Sequence, residues 1–117
     1  MLPEDGVQQI RDWIDQRNGA LPARVRDEIR YEMDVGAHAV VIVECRSPWR
    51  PDLGSEWTRL RVARLHHTRR TDEWFLCCPD RDGGFYLYTP AEASLDVGDL
   101  LKEIDEDPTN IFWGYAR

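Results

Sequence analysis

From residue 25 to residue 88 the sequence alternates short apolar runs with brief turn signals, and this spacing dictates antiparallel strand neighbours. A parallel pair needs a crossover of about a dozen residues or more. None of the connections at 34–37, 47–54, 68–72 and 80–84 is that long. Val25, Ile29, Tyr31 and Met33 hold one parity and Arg26, Glu28, Arg30 and Glu32 the other, which predicts a half-exposed edge strand. In Ala39-Val40-Val41-Ile42-Val43 both parities are apolar, so the second strand is expected to be central and covered on both faces. The third strand, over 57–67, changes its apolar parity between Leu60/Val62 and Ala63/Leu65, as a bulge near Val62 or burial on both sides would require. Residues 73–78 and 85–88 supply the fourth and fifth strands, with Asp80-Arg81-Asp82-Gly83-Gly84 as a hairpin turn between them.

A helix is predicted at each end. Glu4 and Asp5 suit a first helical turn, and Val7, Ile10 and Ile14 follow at helical spacing with Trp13 beside them. Asn18-Gly19 reads as a left-handed stop after about three turns. Near the other end, Thr89-Pro90-Ala91-Glu92 has the form of a capping box, followed by Val97, Leu100, Leu101 and Ile104. The fold class expected is therefore α+β: a five-stranded antiparallel β-meander flanked by an N-terminal and a C-terminal helix. At 117 residues the chain fits a single domain, 1–117, with enough length for one core.

The acidic end of the last helix breaks a local rule. Glu103, Asp105, Glu106 and Asp107 crowd a C-terminus, where the helix dipole disfavours anions. Solvation, pairing with the strand arginines, or a bound cation would each compensate. The tail Ile111-Phe112-Trp113 is expected to fold back over the sheet.

Pro48-Trp49, Trp57, Ala63-Arg64, Trp74 and the run Glu103-Ile104-Asp105-Glu106-Asp107-Pro108-Thr109-Asn110-Ile111-Phe112-Trp113-Gly114 resemble a bacterial family known as domain of unknown function 3024. The resemblance covers roughly residues 39–114, and its most specific part is the Asp-Pro-Thr-x-Ile-Phe-Trp-Gly tail. It implies a shared fold and a bacterial source, and it carries no catalytic residue with it.

Charge and cysteine content narrow the function. The net charge is −7, with balances of −2 over 1–23, +3 over 24–70 and −8 over 71–117. That excess of acid weighs against nucleic acid as a partner without forbidding it, and a protein partner or a second copy is the expected one. Three cysteines with no disulfide spacing, no apolar leader and no membrane-length apolar run together predict a cytoplasmic protein. Cys77-Cys78 and His66-His67 are adjacent pairs whose members point to opposite faces of a strand, so no metal site and no cofactor are expected.

Two readings remain. The first is a non-catalytic binding or interaction module whose surface comprises Trp49, Arg50, Trp57, Arg59, Arg61, Arg64 and Trp74, with rings and guanidinium groups interleaved. The second is a phosphate-directed enzyme such as a metal-free ribonuclease, built from Arg59, Arg61 and Arg64 with His66, His67 and Glu44. The enzyme needs a histidine within hydrogen-bond reach of a carboxylate, beside two arginines in one recess.

Overall fold

The structure, a computed structural model, describes residues 1–48 and 56–113. Helix α1 (Glu4–Gly19) leads into a short 3₁₀ turn at Ala23–Val25. Strands β1 (Ile29–Val35), β2 (Ala39–Arg46), β3 (Thr58–Thr68), β4 (Glu73–Pro79) and β5 (Phe85–Leu87) follow, and α2 (Val97–Glu106) comes last. The strands form one sheet in the order β1-β2-β3-β4-β5, every pair antiparallel. The α+β meander expected from the spacing of turns is therefore the fold. No helix among the described residues is long and apolar enough to cross a membrane.

Both helices and the tail pack on one face of this sheet. Ile10 and Ile14 of α1 meet Val40, Ile42, Leu65 and Leu76 from the strands, and Val97, Leu100, Leu101 and Ile104 of α2 complete the cluster. The edge strand is fastened to α1 through Asn18. Its side-chain amide donates to the Tyr31 carbonyl at 2.9 Å and accepts from the Tyr31 N–H at 2.7 Å, so this stretch of open edge is already paired.

Three local expectations are corrected. Asn18-Gly19 is no left-handed stop: α1 runs 16 residues to Gly19 and ends on Ala20 in a right-handed conformation. Asn18 is used across the fold instead, on β1. The first strand begins at Ile29, because Pro22 opens the 3₁₀ turn and Arg26 donates from its guanidinium to the carbonyls of Leu21 and Gly19. Thr89-Pro90 does not start α2. Asp96 is the N-cap, accepting from Gly98 N at 2.8 Å, while Ser94 bridges to Trp74 along the outside of β4.

The acidic end of α2 is compensated by a fourth route. Asp107 takes a left-handed conformation (φ 43°) and is only 4% exposed. Its two carboxylate oxygens accept from the backbone N–H groups of Phe112 at 3.0 Å and Trp113 at 2.9 Å. The Trp113 indole N–H then donates to the Ile104 carbonyl at 2.8 Å, satisfying an acceptor of the helix's last turn. Asp105 pairs with Arg17 and accepts from the Trp13 indole, and Glu103 accepts from the Tyr88 hydroxyl. Through this loop Phe112 and Trp113 enter the core, while Ile111 remains 39% exposed. Two side chains, not three, are buried, contributing roughly 3–6 kcal/mol. The prediction is that Asp107→Ala lowers stability by about 2–4 kcal/mol in urea unfolding. Glu106→Lys, at an exposed side chain 3.9 Å from Lys102, stays within ~0.5 kcal/mol of wild type.

Gly6 supplies a second sharp test of the packing. An added Cβ there would stand 2.5 Å from Cζ2 of Trp74. Alanine is the better helix former by up to ~1 kcal/mol, yet forcing the indole aside costs about 1–3 kcal/mol. Gly6→Ala is therefore predicted to lower the melting temperature; a rise would show that the indole yields freely.

Candidate functional site

The sheet's second face, opposite the helices, carries the arginines. Strand register assigns its rows: Arg30–Cys45–Arg59, Glu32–Val43–Arg61, Asp34–Val41–Arg64–Cys77–Leu87 and Ala39–His66–Phe75. Strict alternation along β3 would put Arg59 and Arg61 on one face and Arg64 and His66 on the other. The register shifts between Ile42 and Val43, which pair with Ala63 and Arg61, so Val62 is the extra residue of a bulge. That bulge, foreshadowed by the parity change, brings all four side chains to one face and leaves both Val62 and Ala63 in the core.

Arg59 bridges the face. It lies on β3, yet its guanidinium donates to Glu32 at 3.0 Å and to both oxygens of Asp34 at 2.9 Å, and these acids stand two strands away on β1. Two strand spacings are about 9–10 Å, so the side chain must cross β2. Val43 and Cys45 beneath it are each 1% exposed even though no helix covers them. Arg30 completes the group, donating from Nε to Glu32 at 2.7 Å and lying 4.3 Å from the centre of the Trp57 ring. Burial works to raise the Glu32 carboxyl, but the Arg30 hydrogen bond and the Arg30 and Arg59 charges outweigh it and hold the group below the usual carboxylate range.

The other half of the face is different. The Arg61 and Arg64 guanidinium carbons lie 4.8 and 5.8 Å from the centre of one ring, Phe85. Arg61 donates to the Gly83 carbonyl at 2.6 Å. Among the described residues neither arginine has a carboxylate partner. Asp80, in the adjoining turn, is engaged by the N–H groups of Asp82 and Gly84, as a hairpin turn rather than a cation loop requires.

The structure thus unites Trp57, Arg59, Arg61 and Arg64 of the expected surface. Trp49 and Arg50 lie outside the described residues. Trp74 is corrected: it is 2% exposed on the helix side, under Gly6 and 5.0 Å from His67, because it shares a register row with His67. Arg30, Glu32, Asp34 and Phe85 were missed. Their parity marks them as outward-facing, but only strand register shows that they meet the β3 arginines.

The residues of the ribonuclease reading are divided between the faces. His66 is with Arg64, whereas Glu44 and His67 are on the helix side. Glu44 is 2% exposed, with the Tyr31 hydroxyl and Arg46 Nε each 3.5 Å away. His67 Nε2 is 2.8 Å from Asp72 Oδ1 in a recess shared with Arg69, one arginine and not two. The thiols offer no ready nucleophile, since burial raises Cys45 and Cys77 and pushes Cys78 up to about 11.

A family model described as "Domain of unknown function (DUF3024)" matches residues 2–114, so the similarity includes α1 and β1 as well as the region from residue 39 onward. Neither a curated protein nor a solved structure matches the chain.

A carboxyl-carbon NMR titration checks the arginine bridge. Glu32 is predicted to titrate below 4.5, its ordinary value, and Arg59→Gln moves it upward. Because the folded group is depressed, the stability it contributes is present above the unfolded value and is lost as pH falls through the folded one. In Arg59→Gln that acid-dependent loss is smaller and is complete at higher pH.

Proposed function

The chain belongs to the family described as domain of unknown function 3024, and from that premise we propose that it is a non-catalytic binding module working through the arginine face of its sheet. One observation carries this reading. The bulge at Val62 gathers Arg59, Arg61, Arg64 and His66, together with Arg30 and Trp57, on the face opposite the helices. An arginine-rich sheet face with aromatic neighbours is suited to contact rather than to chemistry, because guanidinium groups offer fixed donors and no proton to exchange near neutral pH. The split of His66, His67 and Glu44 between the faces speaks against a ribonuclease centre assembled from the strand arginines. The buried, unpaired thiols support a reducing compartment, and we place the protein in a bacterial cytoplasm.

Affinity capture from cell lysate tests the surface. Wild type is compared with Arg59→Glu/Arg64→Glu and with the control Arg11→Glu on the exposed side of α1. The predicted result is a ligand or protein retained by wild type and control and lost, by about tenfold or more, from the double variant. Equal retention by all three would remove the face from the function.

A further inference from the structure

We propose that Arg61 and Arg64, with His66 beside them, form a receptor for a phosphate monoester group, supplied either by a small phosphate ester or by the terminal phosphate of a single-stranded oligonucleotide. The inference rests on the binding-face reading and deepens it by naming the ligand chemistry.

The face carries two electrostatic halves. In one, Glu32 and Asp34 are both consumed by Arg59, with Arg30 sharing Glu32. In the other, two guanidinium groups stand over the same Phe85 ring without a carboxylate among the described residues. Like charges held together without an anion between them repel. Stacking on the ring accounts for their position but leaves donor edges of the planar forks free. A phosphate is the complement, since its oxygens accept from two forks at once and its second charge balances both arginines. A carboxylate, with one charge, balances only one. Asp34 shares a register row with Arg64 and lines the same depression, but its carboxylate pairs with Arg59 and forms no ion pair with Arg64.

The surroundings fit a ligand larger than an ion. A shallow depression of about 450 Å³ runs beside Arg64 and Phe85 toward His38, Ala39 and Val41. Phe75 and His66, a register pair, lie half-buried on the same face, as rings available for stacking against a planar group. Burial, then the charges of Arg64 and His38, lower the His66 imidazole, so an anion seated against Arg64 pushes it back up.

The test is an NMR titration at constant ionic strength, observing arginine side chains and the His66 ring. The probes are sodium phosphate, a mononucleotide and a 5′-phosphorylated eight-nucleotide single-stranded RNA, with glutamate as the carboxylate control. The expected result is saturable shifts at Arg61, Arg64 and His66 with the phosphate probes and a raised His66 midpoint. Affinity falls about tenfold in Arg61→Gln and in Arg64→Gln and is unchanged within twofold in Arg11→Gln, on the exposed side of α1. Equal affinity for phosphate and RNA identifies the small ester as the source. Tighter RNA binding that weakens with salt identifies the strand. Absence of saturation with every probe, equal binding of glutamate, or equal loss in Arg11→Gln overturns the proposal. If capture from lysate still depends on the arginine face while no phosphate probe binds, the binding-face reading survives and the phosphate receptor alone falls.

Discussion

One extra residue in β3 decides what this molecule can present to its surroundings. Alternation along a strand is strict, so without the bulge at Val62 the two ends of β3 would send their arginines to opposite faces. Arg64 and His66 would then point into the helix side, where a charged guanidinium would have to be buried without a partner. The bulge avoids that cost and keeps the core continuous, with Val62, Ala63 and Leu65 all inside. The same irregularity concentrates cations on the face opposite the helices. Stability and the proposed binding surface thus share a single cause.

The acidic and aromatic tail has the opposite character. The Asp107 carboxylate holds the N–H groups of Phe112 and Trp113, and the Trp113 indole returns to the Ile104 carbonyl. Trp113 also lies under the Arg17 guanidinium at 3.9 Å, with Tyr31 edge-on at 5.8 Å. The part of the sequence that most specifically resembles the family is therefore a fold-closing device, and it says how the core is sealed rather than what is bound. That tail and the candidate site occupy different sides of the sheet.

Much of the fold was legible because turn spacing and apolar parity are local properties. The five strands, the central place of β2 and the position of the bulge all follow from them. The end of α1 was misjudged because Asn18 was needed by Tyr31, and the compensation of the acidic end of α2 was missed because Asp107 holds Phe112 and Trp113. No local pattern encodes such pairings. The site was half legible for the same reason. Arg59, Arg61 and Arg64 stand out in sequence, but their partition into a neutralised and a free group depends on Glu32 and Asp34 two strands away. Trp74 shows the converse, an aromatic residue whose neighbours suggested a surface while its register row places it in the core.

Both arginines flanking the bulge stand against the Phe85 ring, and the division of the face rests on that. Side-chain nuclear Overhauser contacts measure this directly on the isolated protein. Cross-peaks are expected from the δ-methylenes of both Arg61 and Arg64 to the Phe85 ring, and none from Arg64 to Ile10 or Ile14 of α1. Contacts from Arg64 to the α1 side chains, with Arg61 alone touching Phe85, would contradict this arrangement.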